Sequence, residues 1–157
     1  MIDLKNITCT PRPAAIARIR GGEDYPAISG IVSFFSIQDG LVVSVSVTGL
    51  PTKSNDRDIF AFHIHEGTSC TGSDFSDTGA HFDLHERPHP YHTGDFPPLF
   101  ADHGNARMEF WTDRFGVRDI LGRTVIIHEQ ADDLRTQPSG NAGKKIACGV
   151  ILRNCCR

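Results

Sequence analysis

Eight histidines and five cysteines in 157 residues are the side chains with most chemistry to offer, and the histidines are not evenly spread. His63 and His65 close the run Ile59-Phe60-Ala61-Phe62-His63-Ile64-His65. On a strand successive side chains alternate, so Phe60, Phe62 and Ile64 share one face while His63 and His65 leave the other, about 6–7 Å apart and able to converge on one ion. His128 ends Thr124-Val125-Ile126-Ile127-His128, a third imidazole at a strand end. Between them one stretch carries His81, His85, His89, His92 and Asp95. Nitrogen-rich ligands of this kind suit zinc or copper, whereas calcium and magnesium prefer oxygen. The competing reading is a pair of solvent-facing histidines and a solvated loop. Pro88, Pro90, Pro97 and Pro98 stiffen that loop and favour a preformed site.

The elements that must hold these residues read as strands. Runs rich in Val, Ile and Phe, separated by turn residues, cover 15–20, 28–37, 41–48, 59–65, 106–112, 123–128 and 145–152. Val43, Val45 and Val47 alternate with Ser44, Ser46 and Thr48, one face inward and one to water. Gln38-Asp39-Gly40 is a hairpin signal, and Asp102-His103-Gly104-Asn105 a similar break. No stretch carries a comparable helical stripe. Two connections, from Glu66 to about Phe100 and from Glu129 to Lys144, are too long for hairpins, and each begins just after a histidine.

Composition narrows the function. Ten Phe and 39% hydrophobic residues build one compact core, so a single domain is expected. With 16 Lys+Arg against 19 Asp+Glu, intermixed along the chain, neither nucleic acid nor an anionic membrane is an expected partner. The apolar runs are too short to cross a bilayer. No charged start with an apolar segment follows Met1, so the expected compartment is cytoplasmic if Met1 is the native start and exported or periplasmic otherwise.

Five blocks, in this order, resemble the copper/zinc superoxide dismutases, with a bacterial cast. They are Phe62-His63-Ile64-His65-Glu66; Gly79-Ala80-His81-Phe82; His92-Thr93-Gly94-Asp95; the run from Gly122 to Glu129 with Ala131-Asp132-Asp133-Leu134; and Gly140-Asn141-Ala142-Gly143 followed by Ile146-Ala147-Cys148-Gly149-Val150-Ile151. The resemblance spans about 14 to 151. It implies an immunoglobulin-like Greek-key β-sandwich, or flattened eight-stranded barrel, with two long functional loops. The eighth strand would lie around 96–101 or 114–121. Residues 1–13 would form an extended lead-in, 14–152 the domain and 153–157 a cysteine-containing tail.

The resemblance further implies copper held by His63, His65, His81 and His128, and zinc held by His81, His89, His92 and Asp95, with His81 shared. It implies disproportionation of superoxide to dioxygen and hydrogen peroxide by Cu(II)/Cu(I) cycling, with His81 as a proton carrier. Asp132 would join the free nitrogens of His63 and His89. Cys70 and Cys148 would form a disulfide.

Three features depart from the family pattern. Lys145 stands where most members carry an arginine that docks the anion, a point charge in place of a planar fork. Only two residues separate His89 from His92, and His85 is a competing ligand for zinc. Cys9, Cys155 and Cys156 have no counterpart; they are either free or staple the termini. The rival readings are a copper- and zinc-binding relative with little turnover, serving metal trafficking or storage, and a zinc hydrolase. The chain is expected to be a monomer or a homodimer.

Overall fold

The protein is described by a computed structural model covering residues 12–52 and 57–155. Strands β1 (Ala15–Gly21), β2 (Ser29–Ile37) and β3 (Gly40–Thr48) form an antiparallel meander. Its inner face is set by alternation: Phe34 pairs with Val43 and Val32 with Val45, all four buried, while Ser44 and Ser46 point outward. The Ile37↔Gly40 pair leaves Gln38 and Asp39 as the two-residue turn that the sequence signalled.

The expected strand at 59–65 is broken in two. β4 (Arg57–Phe60) pairs with β6 (Leu99–Asp102), whereas β5 (Phe62–His65) pairs with β8 (Thr124–His128). Ala61 is the joint: its carbonyl accepts from His128 N at the end of β8, and its N–H donates to Gln130 O just beyond that strand. Alternation cannot reveal such a break, because Phe60, Phe62 and Ile64 stay on the core side across it.

β7 (Asn105–Thr112) lies between β6 and β3, and β9 (Lys145–Arg153) between β1 and β8. The resulting order, β4-β6-β7-β3-β2-β1-β9-β8-β5, has two strands consecutive in the chain at its two edges. The sheet therefore nearly closes into a barrel with Greek-key crossovers. Nine strands are the expected eight with one divided, since β6 occupies the first of the two places left open for the eighth. The second place is not a strand: residues 117–120 form a short helix, α1 (Val117–Ile120), which buries Ile120.

The β6–β7 turn places His103 and Gly104 at φ of 48° and 74°, as a two-residue hairpin of this twist requires. His103 thus serves a turn. Near the chain ends, Asn154 N donates to Ala14 O and its side chain to Pro13 O, both at 3.0 Å, so β9 and the start of β1 are tied together. Cys155 is exposed with a free thiol, while Cys9 and Cys156 lie outside the described residues. Among the described residues no helix is long and apolar enough to cross a membrane.

Cys70 and Cys148 are joined as a disulfide, linking the first long loop to β9. Cys148 packs there with Phe75 and Ile126, so the link sits on a small apolar cluster beneath the loop. Replacing both cysteines with serine is expected to lower unfolding free energy by about 2–4 kcal/mol in urea denaturation; an unchanged midpoint would show that the loop is held without it.

Candidate metal centre

β5 is the strand on which the site is built. One edge pairs with β8, and along the other the first loop adds two single-residue bridges, His63↔Asp95 and His65↔His81. Main-chain bonds from Ile64 N to Gly94 O and from Phe82 N to Ile64 O carry this pairing. Gly94 is needed for it, because a Cβ there would lie 2.5 Å from Ile64 O. His63 and His65 leave β5 away from the core, as alternation requires, yet both are buried, because the two long loops cover that face. His128 lies beyond a register shift in the β8–β9 pairing and opposite Ala61, to whose carbonyl its N–H donates. The His63 and His128 rings are 5.1 Å apart between centroids.

Two groups of four ligand atoms result, each within 4.8 Å of one another: His63, His65, His81 and His128 in one, His81, His89, His92 and Asp95 in the other. His81 is common to both. His85 is exposed and belongs to neither group, so the competition expected from its spacing does not arise.

Several nitrogens in the groups have nothing to bond. His63 Nδ1, His81 Nε2, His89 Nδ1 and His92 Nδ1 are buried without a hydrogen-bond partner. Orphaned polar atoms at such a density are costly unless a ligand satisfies them. His89 Nδ1 and His92 Nδ1 come within 3.1 and 3.2 Å of Asp95 Oδ2 without hydrogen-bond alignment, as lone pairs turned on a common centre would. His65 Nε2 and His128 Nε2 are 3.1 Å apart, close to the spacing of two nitrogens each about 2.0–2.1 Å from one ion. Three or four imidazoles with at most one carboxylate fit copper and zinc.

The outward nitrogens of His63, His65 and His89 are engaged, which fixes those rings. His63 Nε2 and His89 Nε2 bond the two oxygens of Asp132 at 2.8 and 2.9 Å. His65 Nδ1 meets Gly79 O at 2.9 Å, whereas His81 Nδ1 lies 2.7 Å from Asp95 Oδ1, its fellow member of the second group. Burial alone would raise the Asp132 carboxyl, but bonds from His63, the Leu134 amide and His89 hold it well below the ordinary carboxylate range. Gly140 makes this junction possible, since a Cβ there would sit 2.0 Å from Asp132 Oδ1. Asp133, its neighbour, serves the loop itself by accepting from the Arg135 and Thr136 amides.

Other residues of the site carried no signal in the sequence. Gln137 grips the His89 main chain from the second loop, accepting from its N–H at 3.0 Å and donating to its carbonyl at 2.6 Å. Asp83 accepts from Thr93 N, Thr93 Oγ1 and the Arg87 amide. Arg114 donates to His92 O and Asp95 O. Gln137 and Arg114 act on backbone, and only the folded chain brings them near.

Lys145 stands in the wall of a cleft of about 320 Å³ lined also by His65, His81, His128, Pro138 and Ser139. Its ammonium donates to Thr78 Oγ1 at 2.8 Å, Gly79 O at 3.0 Å and Phe75 O at 3.4 Å. Burial lowers its proton affinity while Asp74 opposes that effect.

The copper/zinc superoxide dismutase (SODC) sequence family matches residues 28–151. The chain belongs to this family. It is 32% identical over 139 residues to superoxide dismutase [Cu-Zn] 2 of Aquifex aeolicus, covering 79% of each chain. It is 34% identical over 145 residues to superoxide dismutase [Cu-Zn] of Deinococcus radiodurans, covering 79% of this chain and 77% of that one. A crystal structure of a double mutant of a superoxide dismutase-like protein from Bacillus subtilis superposes with a TM-score of 0.79 at 30% identity, covering 91% of this chain and 99% of that one. The barrel is thus the superoxide dismutase fold, copper and zinc are the cofactors that family and ligand groups support together, and superoxide is the substrate that membership implies.

Burial, aided by the charge of neighbouring imidazoles, holds His63 and His65 below the ordinary histidine value and His128 down to about 3. Depressed groups of this kind stabilise the metal-free fold above about pH 6.5 and lose that contribution as pH falls, for His128 on the way down to about 3. The metal-free protein should therefore lose stability as pH falls below about 6.5. Urea denaturation at pH 7.5 and pH 5 checks this, and equal stability at both would contradict neutral buried rings.

Proposed function

We propose that the protein is a superoxide dismutase, with copper at His63, His65, His81 and His128 and zinc at His81, His89, His92 and Asp95. The observation that carries the reading is that both four-ligand groups are complete and share one ring, His81. Copper supplies a one-electron couple, through which one superoxide yields its electron as O₂ and a second, with two protons, becomes H₂O₂. Everything else is work for the chain. His81 Nδ1 is directed to the zinc side by Asp95, which leaves Nε2 free to take up and release a proton on the copper side. Asp132 keeps the outer nitrogens of His63 and His89 occupied, so these rings present Nδ1 inward.

Lys145 is assigned to the substrate. A cation in the wall of a narrow cleft raises the local concentration of a small anion and speeds its arrival. Because its protons are already engaged with Thr78, Gly79 and Phe75, it contributes field at the cleft more than a docking fork. Replacing Lys145 with Met is expected to lower kcat/KM roughly three- to tenfold at low salt and to flatten its ionic-strength dependence. Superoxide decay followed after pulse radiolysis reads both, and an unchanged salt dependence would remove Lys145 from this role.

A second reading, a metal-binding relative with little turnover, draws on the 31% identity over 135 residues to the superoxide dismutase-like protein YojM of Bacillus subtilis. The intact ligand groups favour turnover. Metal analysis with decay kinetics on wild type and His128→Ala separates the two: the first reading expects catalysed decay in wild type and a fall of at least about 100-fold in the variant, as loss of one ligand implies. Fully metallated wild type that decays superoxide no faster than the variant would establish the second reading.

A further inference from the structure

We propose that Arg114 is a positioning residue for the zinc-side group, holding two of its ligands through their main-chain carbonyls. The inference rests on the assignment of zinc to His81, His89, His92 and Asp95. His92-Thr93-Gly94-Asp95 is a tight turn closed by Asp95 N donating to His92 O at 3.2 Å. Its first and last residues are ligands, so the distance between their side chains depends on how the turn's ends are held. Arg114 Nη1 donates to His92 O at 3.1 Å, and Nη2 donates to Asp95 O. One guanidinium thus spans both ends with its two terminal nitrogens.

The anchor beneath the arginine is built from the core. Arg114 lies between β7 and α1, on a segment that supplies no ligand, and its neighbour Phe115 is buried. Phe115 meets Phe96, the residue after Asp95, at 6.0 Å between ring centroids, and Phe96 in turn packs on Phe62 at 5.3 Å and Phe110 at 5.0 Å. The chain carrying the fork and the chain carrying the ligands are therefore fixed to one another on the barrel side, and the fork closes the contact on the metal side. The guanidinium also stands behind Asp95, whose carboxylate bonds His81 Nδ1 and the His92 amide. A lysine at 114 would bring one point charge on a flexible stem and could not hold two carbonyls in a fixed relation.

Zinc affinity tests this, measured by chelator competition on protein carrying one equivalent of Cu(I), together with Cu(I) affinity measured without zinc. Loss of a residue that orients ligands typically weakens metal binding 10- to 100-fold. Arg114→Ala and Arg114→Lys are both expected to bind zinc 10- to 100-fold more weakly than wild type, with Cu(I) affinity changed less than about threefold. Cobalt in place of zinc should show an altered visible spectrum in both variants. If Arg114→Ala does not fold, Arg114→Lys carries the test alone. Zinc affinity equal to wild type in Arg114→Lys, or zinc and copper affinities falling together, would overturn the proposal. Wild-type protein that takes up no zinc would instead overturn the metal assignment beneath it.

Discussion

One imidazole serving two ligand groups is the constraint on which the rest of the site depends. His81 must keep Nδ1 toward Asp95 and Nε2 toward His63, His65 and His128, so its ring can tolerate little rotation. A surface loop cannot hold a side chain that closely on its own. The His65↔His81 bridge solves this by making the loop an extra strand beside β5 for the length of one residue. Two ring contacts, at 4.0 Å to His63 and 4.9 Å to His65, then confine it from the strand side.

The remaining architecture can be understood as support for that ring at increasing distance. Asp132 reaches across from the second long loop and takes one nitrogen from each group, so the loops cannot shift independently. Gln137 adds a second tie to His89, this time through its backbone. The Cys70–Cys148 disulfide and the Lys145 ammonium fasten the other half of the first loop to β9. Rigid strands supply three of the histidines, and polar side chains from elsewhere make the loops nearly as rigid. Arrangements of this kind keep a metal site in place with little movement on binding.

Much of this was legible in the sequence where a short-range rule applies. Alternation placed His63 and His65 on one face, the valines of β3 inside and His128 at a strand end. The turn residues marked both hairpins correctly. The loop donors were visible as a density of nitrogen and oxygen, and the resemblance favoured His89 yet left His85 as a competitor, which the fold sets aside by leaving it exposed and outside both groups. The break at Ala61 was hidden because the inward residues keep their parity through it. Arg114 and Gln137 were hidden for another reason: they act on main-chain atoms far away in sequence, and no pattern of residue types records a backbone carbonyl as a target. One of the two places left open for the eighth strand became a turn and the helix α1, which seats the arginine against the zinc-side loop.

Diffraction from metal-loaded crystals, collected on either side of the copper and zinc absorption edges, tests the shared ring most directly. The account predicts a copper peak beside His81 Nε2, within bonding distance of His63, His65 and His128, and a zinc peak beside His81 Nδ1. A single peak, or two peaks neither of which lies on the plane of the His81 ring, would contradict it.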